Sequence, residues 1–229
     1  MSGGVAALAA RVVVVLATVA FLVGLAIVPL LNPVWIGFAQ ARADATGWTG
    51  WSDADVSYVT GALLHDLVIG PPAFDVALDG VAVFDERERS HMRDVRGVFA
   101  GVLTAAVAGA LVLVVARRRL ERRSFWRAIR GAGILVGTVV VALGIVFAVA
   151  FDLAFEVFHR LLFPPGSYTF DMGSARLVQL LPGRLWYETS LAYGALLVLL
   201  ATGSVAIATG RLGARRGPEA AGERTVSGQ

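Results

Sequence analysis

The chain has 229 residues, no cysteine, 57% hydrophobic residues and a formal net charge of +3, and its mean hydropathy is +0.72. The apolar share is above that of an ordinary soluble domain. The absence of cysteine excludes disulfides, thiol nucleophiles, cysteine-ligated zinc and thiol redox chemistry.

Four long runs of the chain contain no Asp, Glu, Lys, Arg or His. They are Val12–Leu31, Gly97–Ala116, Gly131–Phe151 and Thr189–Gly210. A helix of about 20 residues, rising about 1.5 Å per residue, spans a hydrocarbon core of about 30 Å. The runs therefore predict an all-α integral membrane protein with four transmembrane helices, forming a single integral membrane domain over residues 1–214.

The first run has a second interpretation, as the core of a signal peptide. Ala41-Arg42-Ala43 loosely resembles a cleavage site. The run is longer than the roughly 7–15 residues of a typical signal core, and the candidate site lies well beyond its end. A retained helix is therefore the favoured interpretation.

Residues 34–90 predict a small α+β cap between the first and second spans. Ser52 followed by Asp55 is typical of a helix start, and Gly70-Pro71-Pro72 is typical of a helix end. Asp79-Gly80, between two short apolar runs, predicts a hairpin. The segment thus has structure of its own and is more than a linker.

Arginines cluster in two parts of the chain. They are Arg117, Arg118, Arg119, Arg122, Arg123, Arg127 and Arg130 after the second run, and Arg211, Arg215, Arg216 and Arg224 after the fourth. The positive-inside rule then puts both termini in the cytoplasm, with the cap and an outer loop over 152–188 on the other side. Basic clusters also occur in nucleic-acid-binding proteins, but topology and contact with anionic membrane lipid are favoured here. The tail, residues 215–229, has no apolar periodicity and is predicted to be disordered.

Two histidines lie at the ends of neighbouring spans. His91 precedes the second run and His159 follows the third. If these runs cross the membrane as antiparallel helices, both imidazoles lie on the same side at a similar depth. Groups that exchange protons near neutral pH at a lipid–water boundary are a plausible site of chemistry. Interface histidines without a role remain the alternative, and His65 on the cap is expected to have a surface or packing role.

Four carboxylates lie near the two histidines at helical spacing. They are Glu88 and Asp94 around His91, and Asp152 and Glu156 before His159. A carboxylate beside an imidazole can orient its tautomer and stabilise its cation. For Asp152, a salt bridge to Arg93 or Arg96 is an equally good structural interpretation.

Other catalytic classes find no support in the sequence. Two histidines with nearby carboxylates could bind a metal, but the paired i, i+4 histidines of a helical zinc site are missing. No G-x-S-x-G elbow, P-loop or dinucleotide fingerprint is present. The pattern therefore predicts neither a metal nor a cofactor, and no particular oligomeric state.

Three features together resemble the bacterial lipoprotein intramolecular transacylases. They are the stretch F-D-E-R-E-R-S-H-M-R-D-V-R over residues 84–96, the motif Phe155-x-x-Phe158-His159-x-x-x-Phe163, and the four-span layout. The resemblance implies a bacterial cell-membrane enzyme with its active site at the outer leaflet, acting on diacylated lipoproteins among membrane lipid. It implies that an acyl chain moves from the sn-2 position of the diacylglyceryl group to the α-amino group of the N-terminal cysteine, giving a lyso-form lipoprotein. It also implies that His91 and His159 form the catalytic pair.

The chemistry expected of such an enzyme fits these residue types. Acyl transfer to an amine needs a base and an acid, and two imidazoles can divide those roles. The cap could exclude water, and Arg93, Arg96 or Arg160 could bind lipid polar groups or a developing oxyanion. Two alternatives stay open: a non-catalytic lipid-binding or accessory membrane protein, and another acyltransferase or hydrolase on the same scaffold.

Overall fold

The computed structural model describes residues 2–213, which form nine α-helices and one two-stranded sheet. The helices are α1 (Ser2–Ile27), α2 (Pro33–Arg42), α3 (Ala45–Thr49), α4 (Asp53–Val68), α5 (Glu86–Arg119), α6 (Arg122–Val149), α7 (Phe151–Leu162), α8 (Arg176–Leu180) and α9 (Gly183–Gly213), and the strands are β1 (Ala77–Leu78) and β2 (Val81–Ala82). The tail predicted to be disordered, residues 215–229, lies outside the described residues.

Four of these helices are long and apolar enough to cross a membrane within residues 2–213. They are α1, α5, α6 and α9, and they contain the four predicted runs apart from a few residues at the ends. Helix α5 begins at Glu86, well before the apolar run that starts at Gly97. The first turns of the helix precede the apolar run. They are polar, and they carry His91.

The long helices approach each other closely where side chains are small. A Cβ added at Gly109 of α5 would come within 2.6 Å of the Ala17 carbonyl oxygen on α1. A Cβ added at Gly133 of α6 would collide with Ser204 of α9. Small residues at helix contacts let backbones pack tightly in membranes, where apolar burial alone drives little association.

The segment between α1 and α5 folds as a small helical cap with a hairpin. Ser52 and Asp55 form a reciprocal capping box at the start of α4. The strands β1 and β2 pair antiparallel, and Asp79 and Gly80 turn the chain with φ values of 49° and 78°, as a tight two-residue turn requires. The predicted cap helix and hairpin are thus present in the structure.

The largest apolar core joins the cap to α5, α8 and the start of α9. Its fully buried members include Val59 of α4, Phe74, Leu180 of α8 and Leu185 of α9. The core fixes the N-terminal end of α5 against the cap and places the polar turns of that helix at the edge of the long-helix bundle.

Helix α6 does not continue directly to His159, although the chain between them is short. It ends at Val149, and Ala150 leaves the helical conformation with φ −141° and ψ 48°. Helix α7 then begins at Phe151 and ends before Pro164-Pro165, because a proline disfavours the helical conformation of the preceding residue. No residue of α7 is buried, so His159 lies on the most exposed helix around the site.

Candidate active site

The structure brings the two histidines together. The ring centroids of His91 on α5 and His159 on α7 lie 6.2 Å apart, and the ring planes are inclined by 27°. The two residues are far apart in sequence, and the polar turns of α5 and the separate helix α7 bring them to the same place. Their proximity makes proton exchange through one bound molecule geometrically reasonable.

His159 has a defined tautomer. Its Nδ1 lies 2.8 Å from the carbonyl oxygen of Phe155, one helical turn earlier. A carbonyl only accepts hydrogen bonds, so Nδ1 carries the hydrogen and the neutral ring presents a lone pair at Nε2. The ring of Phe155 also lies 4.2 Å from the imidazole, centroid to centroid. His159 is therefore arranged to accept a proton through Nε2.

His91 lies in a more enclosed environment. Only 6% of its surface is exposed, and its buried Nδ1 has no hydrogen-bond partner among the described residues. The rings of Phe163 and Phe170 lie 4.9 Å and 5.5 Å from the imidazole. Such surroundings disfavour a charged imidazole, and the unpartnered nitrogen is free to bond a ligand.

Both histidines line a cavity of about 390 Å³ whose walls are otherwise mostly apolar. A second cavity of about 650 Å³ lies between the long helices. Phe99, Phe155, Phe158 and Trp186 line both cavities. Apolar chambers with few polar groups are typical of sites that bind the hydrocarbon part of a ligand.

The carboxylate of Glu88 is buried and bonded away from His91. It accepts hydrogen bonds from the backbone N–H of Asp85 at 2.8 Å and of Leu177 at 2.7 Å. The first bond belongs to a reciprocal capping box at the start of α5. The second fastens α5 to α8. The hydrogen bonds of Glu88 therefore fix the start of α5, the helix that carries His91.

The carboxylate of Glu156 lies near His159 but bonds to other groups. It accepts a hydrogen bond from Arg160 at 2.7 Å and one from the Tyr168 hydroxyl at 3.3 Å. The hydrogen bond from the Arg160 guanidinium lowers the pKa of Glu156 from its ordinary value of 4.5. Tyr168 in turn contacts His159, with ring centroids 5.1 Å apart. Glu156 therefore reaches the imidazole through Tyr168.

The other two predicted carboxylates have no such contacts. Asp94 is half-buried on α5 and Asp152 is exposed at the start of α7. Within residues 2–213, neither side chain forms an ion pair, so the salt bridge weighed for Asp152 is not formed there. No cluster of three metal-ligating side chains occurs in the same part of the chain.

The three candidate substrate-binding arginines each have a partner within the protein. Arg93 pairs with Glu86 at 2.5 Å, and Arg160 pairs with Glu156. Arg96 donates to the backbone carbonyl oxygens of Asp66 and Gly70 at the end of α4. A guanidinium among these would have to exchange its partner before it could bind a substrate oxygen.

Two further residues at the site escaped the sequence reasoning. They are Arg87 and Tyr168. Arg87 precedes His91 by one helical turn, so helical spacing alone could have indicated it. Tyr168 lies in an irregular loop, and no periodic signal marks its contact with His159.

The family model described as "Lipoprotein intramolecular transacylase Lit" matches residues 11–186. The chain belongs to this family. The matched region includes both histidines, α7 and the loop between α7 and α8. Family membership and the four long helices make it a multi-pass membrane protein.

Solved structures share the fold at low sequence identity. The membrane integral lipoprotein intramolecular transacylase Lit from Bacillus cereus superposes with a TM-score of 0.81 at 17% identity, over 93% of this chain and 99% of that one. A form of the same protein with a histidine replaced by arginine gives a TM-score of 0.74 at 16% identity, over 93% and 95% of the two chains. These similarities establish a shared fold.

A sequence relative is an uncharacterised protein from Aquifex aeolicus. It is 29% identical over 135 residues, which is 59% of this chain and 60% of the relative. The match thus spans about three fifths of the relative's length.

Proposed function

We propose that this protein is an intramolecular acyltransferase of bacterial lipoproteins. It moves an acyl chain from the sn-2 position of the diacylglyceryl group to the α-amino group of the N-terminal cysteine. The observation that carries the proposal is the pair of histidines, 6.2 Å apart, at the wall of an apolar cavity. Family membership supports the substrate class.

His159 is the better candidate for the base. Its Nδ1–H is held by the Phe155 carbonyl, which leaves Nε2 able to take the proton that the attacking amine loses. As the amine nitrogen forms its bond to the acyl carbon, the ester C–O bond breaks and the departing alkoxide needs a proton. His91, whose ring lies 6.2 Å from that of His159, gives its proton to this leaving oxygen, and its unpartnered Nδ1 offers a second contact to substrate. Passing the proton through a neighbouring pair lets one site perform both transfers.

The surroundings support transfer over reaction with water. Phe155, Phe163 and Phe170 contact the two imidazoles, and the cap covers the outer end of α5. A closed apolar site excludes competing water from a reactive ester. The two adjoining cavities offer volume for acyl chains.

The same proposal places the site at the outer leaflet, with both termini in the cytoplasm. The arginines at the end of α5, at the start of α6 and at the end of α9 support this orientation. Reporter fusions at Gly80 on the cap and at Ser124 on α6 should report opposite compartments. The same compartment at both positions would contradict the orientation.

The decisive test is to give the purified protein a synthetic diacylated lipopeptide and follow the products by mass spectrometry, with fragmentation to locate the acyl group. A product of unchanged mass, with one acyl chain moved to the amine, supports the transacylase. Loss of one acyl chain as free fatty acid identifies a hydrolase on the same scaffold. Binding without any product identifies a non-catalytic lipid-binding protein.

A further inference from the structure

One arginine fastens the loop between α7 and α8 to the helix that carries His91. The Arg87 guanidinium donates from Nη2 to the backbone carbonyl oxygens of Gly166, at 3.0 Å, and of Thr169. Its central carbon lies 5.1 Å from the centroid of the Phe170 ring. A single side chain thus contacts three residues of the loop.

The segment that Arg87 holds is a well-defined turn. The Ser167 N–H donates to the Pro164 carbonyl oxygen at 3.2 Å, and the Ser167 hydroxyl donates to the same oxygen at 2.8 Å. Gly166 has a φ of 82°, which suits the third position of a type II turn. Its own hydrogen bonds define the turn, and the hydrogen bond from Arg87 to the Gly166 carbonyl oxygen joins it to α5.

The fastened loop supplies two rings to the site. Phe170 lies 5.5 Å from His91 and Tyr168 lies 5.1 Å from His159, centroid to centroid. Both rings line the cavity, while Pro164, Pro165 and Thr169 are exposed. The loop thus forms part of the wall between the histidines and solvent.

We infer that Arg87 is a positioning residue that makes the enzyme select an amine over water, because it holds Tyr168 and Phe170 closed over the histidines. The inference rests on the proposed function. In transfer, the amine nitrogen bonds to the acyl carbon, the ester C–O bond breaks, and the alkoxide takes the proton that the amine releases. If water enters, its oxygen forms the new bond instead, and the products are a fatty acid and the same alcohol. Whether water passes the loop that Arg87 holds and reaches the ester decides between transfer and hydrolysis.

The contacts of Arg87 define a matched pair of substitutions. Both hydrogen bonds come from one nitrogen, and a lysine ammonium carries three donors and can also lie over a ring. Arg87→Lys should therefore keep the loop in place. Arg87→Met has a similar length but no donor and no charge, so it should release the loop.

The experiment uses the full chain in lipid nanodiscs with a synthetic diacylated lipopeptide. Mass spectrometry counts the N-acylated lyso-form, the deacylated lipopeptide and the free fatty acid. In Arg87→Met the hydrolysed share should rise severalfold, and transfer should fall by about tenfold to about a hundredfold. Arg87→Lys should stay close to wild type. Arg89→Met is the control, because Arg89 is on the same helix but pairs with Glu86, and its product ratio should not change.

An unchanged product ratio in Arg87→Met overturns the inference, even if total turnover falls, because general damage lowers both reactions alike. If that variant does not accumulate, Phe170→Leu replaces it, since it removes the ring between Arg87 and His91. An unchanged ratio there overturns the inference equally. A wild-type protein that forms no N-acylated product refutes the proposed function itself, which distinguishes the two failures.

Discussion

The two histidines are held in place by different means. His91 lies near the N-terminal end of α5, where Glu88, His91 and Met92 are all buried and where the Glu88 carboxylate joins α5 to α8. His159 lies on α7, which has no buried residue, and its imidazole bonds to the carbonyl of its own helix. The first ring is thus fixed by tertiary packing, and the second by a local bond and a few aromatic contacts.

This difference indicates a division of roles. A densely packed helix keeps a group in one position, whereas an element with few buried contacts opens at a lower free-energy cost. We expect α7 to be the element that moves when an acyl chain enters or leaves. The His91 side then acts as the fixed half of the site.

The largest expected effect is the loss of either imidazole. His91→Ala and His159→Ala should each lower transfer by about 10²–10⁴-fold, the usual contribution of a general acid or base. The double variant should be little worse than either single one, because members of one catalytic unit are not additive. Transfer is measured as conversion of diacylated lipopeptide to the lyso-form.

His65→Ala is the control for both variants. His65 lies on the exposed side of α4, and its ring contacts Asp66, so transfer should stay near the wild-type rate. Full activity in either His91→Ala or His159→Ala, at normal protein levels, would refute the catalytic pair. Clear additivity in the double variant would show that the two rings act separately.

The sequence predicted the elements well and the contacts between distant parts only partly. Apolar runs predict membrane-spanning helices. The helix cap of Ser52 and Asp55 and the turn at Asp79 and Gly80 form between residues that are close in sequence, so their spacing predicts the local structure. The approach of the histidines followed from antiparallel spans. The hydrogen bond from the Leu177 N–H to the Glu88 carboxylate joins residues that are 89 positions apart in sequence. No periodicity in the sequence predicts such a contact.

The next effect concerns stability and distinguishes the two carboxylates. Glu88→Ala leaves the N–H groups of Asp85 and Leu177 without their acceptor. The hydrogen bond to Leu177 is buried, and an unsatisfied buried group costs about 1–3 kcal/mol. The unfolding temperature should fall by about 2–4 °C for each kcal/mol lost in a chain of this size. Thermal unfolding in detergent measures the change.

Glu156→Ala serves as the comparison in the same measurement. Its partners, Arg160 and Tyr168, belong to the exposed side of the site, so the unfolding temperature should not change measurably. Equal losses in Glu88→Ala and Glu156→Ala would contradict the view that only the His91 side is held by tertiary packing.

A smaller effect is expected from the aromatic ring that touches both imidazoles. Phe163 is 7% exposed and lies 4.9 Å from His91 and 5.5 Å from His159. Phe163→Leu keeps an apolar side chain but loses ring contacts that are typically worth about 0.5–1.5 kcal/mol each. Transfer should fall by about tenfold.

Phe158→Leu is the comparison and should have less effect, because Phe158 is 44% exposed and contacts only His159 of the pair. A larger loss of transfer in Phe158→Leu than in Phe163→Leu would contradict the view that Phe163 forms a wall shared by both imidazoles.

The smallest effect concerns pH and the exposed side of the site. The hydrogen bond from Arg160 lowers the pKa of Glu156 below 4.5. Because the pKa of Glu156 is lowered in the folded protein, its charged carboxylate contributes favourably at pH values above the ordinary pKa. That contribution is lost only as the pH falls through the lowered pKa. Glu156 therefore stays ionised between about pH 5 and about pH 8, the range in which histidine titrates. Glu156→Gln should reduce transfer by the same modest factor at every pH in that range, because the charge that the substitution removes is constant throughout it. A ratio of wild-type to variant rates that changes with pH would contradict a role confined to the contacts with Arg160 and Tyr168.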